Sequence, residues 1–242
     1  MAVVGVILDV GGTLVRSNEA RARAWADALA ESGYTVPVER ITPLIGMGAY
    51  RLLPLVAPGL NSRAGTGQRI VRRVGELFVS RYTADLEPVP GARALVERMR
   101  DEGLRLIVAS DAMPDEVTAL LKAADVDDLL HERFTAADLE HAKPTLELVE
   151  LARGKVGLWP EASLLIGDAP YDIEAAARAG MRSIALRCGG HSDVELAGAL
   201  AIYDNPADLL AHYTTSPLDR NARPFPPPRP HDPSRAASWQ AR

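Results

Sequence analysis

Residues 3–8 read V-V-G-V-I-L and stop at Asp9, and this stretch restricts the fold more than any other. Six apolar residues in a row are too few for a buried helix and enough for a strand covered on both faces, as in a parallel sheet. A carboxylate then stands at the carboxyl end of that strand. It is followed by Gly11-Gly12, which reach backbone conformations closed to other residues, and by Thr13, whose hydroxyl can hydrogen-bond locally. In open α/β sheets, ligands bind at that edge. An Asp there, flanked by backbone N–H groups, can act as a nucleophile or a metal ligand. A strand that merely ends in an Asp-x-Gly turn carries the same letters.

The downstream text alternates. A helix with Ala20, Ala24, Trp25, Ala28 and Leu29 at helical spacing is predicted up to about Ser32, capped by Ser17 or Asn18 and stopped by Gly33. Residues 35–90 are helical in flavour, repeatedly broken by Pro and Gly, with a second helix over about 67–82 and no period-two pattern. That segment reads as an all-helical insertion. Beyond Pro90-Gly91 come strands at 104–109, near Phe134, at 163–166, at 182–186 and at 201–203. Helices are predicted between them at about 92–103, 114–124, 145–154 and 170–180. Strand–helix alternation specifies a parallel sheet with right-handed crossovers. The expected fold is therefore α/β, a Rossmann-like doubly wound core of residues 1–14 and 88–213 with an inserted helical cap of residues 15–87.

Residues 214–242 differ in kind. Seven of the 18 prolines fall between Pro217 and Pro233, a composition that does not build a core and reads as an unpacked tail. From Pro217 onward the chain carries five Arg against Asp219 and Asp232, a net +3, so the rest is more acidic than the overall −5. An acidic body argues against nucleic-acid binding. Cys188 is the only cysteine, so no disulfide framework exists and a reducing, cytoplasmic location is expected. No stretch approaches the ~20 apolar residues that span a bilayer.

Polar residues collect at the strand ends: Asp9, Ser110, Lys143, and Asp168 with Asp172. An acid, a hydroxyl, a cation and a metal-binding pair suit attack of a carboxylate on a phosphoryl group, with Mg²⁺ and lysine offsetting phosphate charge. These motifs are D-V-G-G-T-L at Asp9, S-D-A at Ser110, K-P at Lys143 and G-D-A-P-Y-D at Asp168. On them the chain resembles the haloacid dehalogenase superfamily of hydrolases over about residues 3–213, specifically its phosphatase and phosphomutase-like members with a cap inserted after the first motif. The resemblance implies that Asp9 is transiently phosphorylated and that Ser110 and Lys143 hold the phosphoryl group. It further implies that Asp168, Asp9 and the Gly11 carbonyl bind Mg²⁺, with Asp172 supporting the metal's waters or the lysine. Gly12, Thr13, Asp111 and Arg21 are the further positions expected at the phosphate or substrate, a small phosphorylated metabolite.

One position departs from the family pattern. Two residues after the nucleophile, these phosphatases usually carry a second aspartate as general acid/base; here it is Gly11, a loss worth about 10²–10⁴ in rate. Asp111, His141, Glu19 and Arg21 are candidates to replace it. The alternatives are a phosphonate-cleaving relative, a true dehalogenase and a non-catalytic binding module. The first needs a cap lysine, and the only lysines are Lys122, Lys143 and Lys155, none in the cap. The second does not use an Asp168/Asp172 pair, which would repel a carboxylate substrate. Arg16, Arg21 and Arg51 lie in or beside the cap as possible anion contacts, and Gly46-Met47-Gly48 is read either as a loop reaching over the site or as a turn. Trp25 and Tyr50 are read as cap packing, and Cys188 as an incidental small hydrophobe.

Overall fold

The computed structural model describes residues 2–138, 146–155 and 157–219. Lys143 and His141, the start of the helix expected at residue 145, and most of the proline-rich tail lie outside the described residues. Among the described residues six strands form one sheet: β1 (Gly5–Leu8), β2 (Arg105–Ala109), β3 (Arg133–Phe134), β4 (Ser163–Gly167), β5 (Arg182–Leu186) and β6 (Ala201–Tyr203). Every pairing is parallel, in the order β3-β2-β1-β4-β5-β6. The chain winds outward from β1 first to one side and then to the other, so the order reverses between β1 and β4, where open α/β sheets bind ligands.

The apolar run of β1 is buried on both faces, as its letters require. Val6 and Leu8 join a cluster with Leu106, Val108, Leu164 and Ile166, while Ile7 points into a second cluster with Ile107 and Leu165 on the opposite face. Register aligns the three central strands, pairing Leu8 with both Val108 and Ile166. The residues that follow these strands, Asp9, Ser110 and Asp168, therefore emerge along one rim.

Residues 16–87 contain only helices and turns among their described elements: α1 (Asn18–Glu31), α2 (Val38–Ile41), α3 (Ala49–Val56) and α4 (Gly65–Leu77), which runs on into a π-turn at Phe78–Tyr82. Trp25, Leu29, Ile41, Leu53, Ile70 and Leu77 pack inside this insertion, and its apolar core is continuous with the cluster on one face of the sheet. Its two connections run side by side. The Arg16 N–H donates to the Glu87 carbonyl at 2.9 Å, and the Val89 N–H donates to the Leu14 carbonyl at 2.9 Å.

The core adds α5 (Ala92–Asp101), α6 (Pro114–Ala123), α7 (Leu146–Lys155), α8 (Pro170–Arg178) and α9 (Pro206–Ala211). The chain does not leave the body at residue 214. The Ser216 hydroxyl donates to the Tyr213 carbonyl at 2.8 Å and accepts from the Leu218 N–H at 3.1 Å, and Leu218 is fully buried. One apolar residue with a place to dock outweighs the unpromising composition around it, and packed structure extends at least to Asp219.

Candidate active site

Asp9 leaves the sheet directly after β1, its N–H donating to the Ile166 carbonyl of β4 at 3.0 Å. The next residues fold tightly around Gly12, whose φ is +83°. A Cβ at Gly12 would lie 2.3 Å from Asp168 Oδ2 and 2.5 Å from Asn18 Nδ2, so this position takes only glycine on both conformational and steric grounds. The turn brings the Thr13 hydroxyl to 3.1 Å from Asp9 Oδ2 and 2.8 Å from Asp168 Oδ1. Thr13 is buried beneath the carboxylates, holding them together from below.

Asp168 follows β4 and is 2% exposed. The side-chain amide of Asn18 donates to its Oδ2 at 3.0 Å and to the Gly189 carbonyl at 3.3 Å. The sequence reading made Ser17 or Asn18 a helix cap. Ser17 occupies the capping position of α1 without a side-chain capping bond, and Asn18 is committed to Asp168. Asp172 sits in the first turn of α8 and turns back on its own loop. Its Oδ2 accepts the backbone N–H groups of Asp168 at 3.1 Å and Ala169 at 2.9 Å.

Asp9, Asp168 and Asp172 each offer a carboxylate oxygen within 4.8 Å of the others. Burial, and then the charges of Asp172 and Asp168, hold the Asp9 carboxyl well above the ordinary carboxylate range. Burial raises Asp168, against the pull of its bonds from Thr13 and Asn18. Burial and the neighbouring Asp168 push Asp172 up to about 8. Three hard oxygen donors that repel one another fit a divalent cation of the Mg²⁺ type, which would neutralise them.

Ser110 follows β2, its N–H donating to the Phe134 carbonyl at 3.0 Å and its Oγ accepting from Ala112 N–H at 3.3 Å. Asp9, Gly11, Ser110, Asp111, Arg21, Asp168 and Asp172 all line one cleft of about 1130 Å³ between the core and the helical insertion. Burial raises the Asp111 carboxyl, partly offset by the charge of Arg21. From the insertion, Gly48 comes against it: a Cβ there would be 3.2 Å from Asp111 Oδ2, and one at Gly46 would be 3.1 Å from Ala169 Cβ. The Gly46–Gly48 segment thus reaches both core loops, as the first of its two readings had it.

The arginines behave differently from expectation. Arg21 is engaged rather than open to an anion: its guanidinium pairs with Glu116 of α6 and stacks 3.8 Å over the Phe78 ring. Arg51 pairs with Glu174 of α8 at 3.0 Å, and Glu19 is an exposed partner of Arg23. Sequence reasoning missed Glu116, which is buried in a helix whose letters show only an amphipathic pattern. Cys188, read from the sequence as an incidental small hydrophobe, donates its thiol to the Gly12 carbonyl at 3.2 Å and is pushed up to about 12 by burial. No helix among the described residues is long and apolar enough to cross a membrane.

Comparison with known proteins gives the family. A family model described as haloacid dehalogenase-like hydrolase matches residues 3–180. A phosphoglycolate phosphatase from Mannheimia succiniciproducens is 29% identical over 211 residues, covering 84% of this chain and 94% of that protein. Protein SUPPRESSOR OF QUENCHING 1, chloroplastic, from Arabidopsis thaliana is 30% identical over 188 residues, 76% of this chain but only 18% of the plant protein's length. Among solved structures, a hydrolase from Pseudomonas syringae superposes with a TM-score of 0.79 at 29% identity, over 88% of this chain and 98% of that one.

Proposed function

The chain belongs to the haloacid dehalogenase-like hydrolases, and from that membership we propose that it is a Mg²⁺-dependent phosphatase acting on a small phosphorylated metabolite in the cytoplasm. The observation that carries the reading is the convergence of Asp9, Asp168 and Asp172 in a cleft that Ser110 also lines. Relatives named as phosphoglycolate phosphatases support a phosphate monoester as the substrate class.

In this reading an Asp9 oxygen attacks phosphorus as the bond to the leaving group breaks. Water then hydrolyses the aspartyl-phosphate, restoring the carboxylate and releasing phosphate. Asp9, Asp168 and the Gly11 carbonyl would hold Mg²⁺, with Asp172 fixing the loop behind them. When bound, the ion supplies positive charge against the phosphate and the crowded carboxylates. The Ser110 hydroxyl donates to a phosphoryl oxygen, Lys143 is assigned the same task, and the backbone around Gly12 and Thr13 shapes the pocket. Asp111 faces the bound substrate from the cleft wall, and the insertion acts as a cap that excludes water during transfer.

Gly11 favours one second reading, a fold that binds a phosphorylated ligand without turnover. Phosphate release across a panel of phosphorylated metabolites, with Mg²⁺ and with EDTA, separates the two. Mg²⁺-dependent release from any compound supports the phosphatase; silence on all of them supports the binding module.

A further inference from the structure

The place beside Gly11 is occupied by another residue. Gly11 is not among the glycines of positive φ, so its backbone accepts a side chain; what a Cβ would meet is the Ser17 hydroxyl oxygen, 2.9 Å away. Ser17 is 3% exposed, yet it lines the same cleft as Asp9 and Asp168. Its hydroxyl does not cap α1 and makes no hydrogen bond among the described residues. The oxygen is not sealed in the protein but opens onto the cleft, and the natural partner for it is an atom that enters there.

We propose that Ser17 is a catalytic residue whose hydroxyl donates a hydrogen bond to the leaving-group oxygen where Gly11 brings no carboxyl, so that the preferred substrates are phosphates of acidic hydroxyls: aryl, enol or acyl phosphates. The proposal rests on the phosphatase reading above. A serine hydroxyl is far too weak an acid to transfer its proton at neutral pH, so it stabilises charge as a fixed donor does. In the first step an Asp9 oxygen–phosphorus bond forms and the ester phosphorus–oxygen bond breaks. The electron pair leaves on the departing oxygen, Ser17 keeps its proton, and the anion takes a proton from solvent after release. In the second, a water oxygen bonds to phosphorus, the Asp9 oxygen–phosphorus bond breaks back to carboxylate, and the water's proton passes to phosphate or solvent.

The test compares phenyl phosphate, a poor leaving group, with para-nitrophenyl phosphate, a good one, using the full chain with Mg²⁺. Ser17→Ala should slow phenyl phosphate about tenfold more than the nitrophenyl ester, the effect of one neutral donor. Ser17→Thr, which keeps the hydroxyl, should hold the wild-type ratio, and both variants should melt within a few degrees of the parent. Equal slowing of the two esters by Ser17→Ala, or none, overturns the proposal and leaves the phosphatase reading standing. Wild-type hydrolysis of an alkyl phosphate as fast as the nitrophenyl ester, lost in Asp111→Asn, also overturns it, because Asp111 would then carry the proton. Silence of the wild type on these esters alongside phosphate release from a metabolite overturns this proposal alone, whereas silence on the esters and on the whole metabolite panel removes the phosphatase reading and this proposal with it.

Discussion

The side-chain amide of Asn18 donates to Asp168 Oδ2 at 3.0 Å, joining the first residue of α1 to the carboxylate that follows β4. The bond fixes one oxygen of a group that stands among like charges, and it ties the insertion's leading helix to the centre of the site.

Removing that amide should weaken cation binding at the three carboxylates without unfolding the chain. Asn18→Ala is expected to lower Mg²⁺ affinity about tenfold, the usual scale for a residue that orients a ligand. Isothermal titration calorimetry on the metal-free protein reads this directly; an unchanged dissociation constant would detach Asn18 from metal binding.

Asp9→Asn should abolish phosphate release while leaving the metal-free fold as stable as the parent or more so. The substitution removes the attacking group of the proposed reaction and also one of three mutually repelling carboxylates. Phosphate release and a thermal melt, run on the same preparation, check both halves. A substantial residual rate would exclude Asp9 as the attacking group.

Stability should depend on pH in a direction opposite to that of an ordinary paired carboxylate. Because burial and Asp168 raise Asp172 from 3.8 to about 8, the folded metal-free protein keeps a proton that the unfolded chain has released. The stabilisation is fully present below the unfolded value and is lost as pH rises through the folded one. The melting temperature in EDTA should therefore fall from about pH 5 to about pH 8, and the gain on adding Mg²⁺ should grow over the same window. A flat profile in EDTA would mean that the three carboxyls do not crowd one another in solution.

Glu116→Gln should destabilise the protein by about 3 kcal/mol, because it strands a largely buried guanidinium. Arg21 and Glu116 are 17% and 8% exposed as side chains. A Cβ at Gly75 of α4 would lie 2.5 Å from Glu116 Oε1, so the carboxylate is seated against the insertion's backbone. Glu19→Gln, in an exposed pair, should change stability by less than about 1 kcal/mol. Urea unfolding of the two variants makes the comparison, and equal effects would show that the Arg21 pair contributes nothing beyond a surface contact.

Much of this arrangement was legible before any coordinates. An apolar run that stops at a charged residue marks both a buried strand and its end, so Asp9, Ser110 and Asp168 could be assigned to one rim, and the parallel order followed from strand–helix alternation. The side chains inside the cleft were not legible in the same way. Ser17 and Asn18 both look like caps in sequence, and only the approach of Asp168, 150 residues further on, decides that Asn18 turns toward it. Arg21 looks like an anion contact until Glu116, 95 residues away, takes its charge.

By itself the sequence determined the architecture and the chemistry available to it, since hydrophobic periodicity and residue type act locally and survive in any context. Tertiary structure decided which polar groups are spent on one another and which remain for a ligand. That choice depends on distances between elements remote in the chain, set by how their apolar faces pack. It is why Arg21 is paired, why the crowded carboxyls are raised above the ordinary carboxylate range, and why the Ser17 hydroxyl stands beside Gly11 with no hydrogen-bond partner among the described residues.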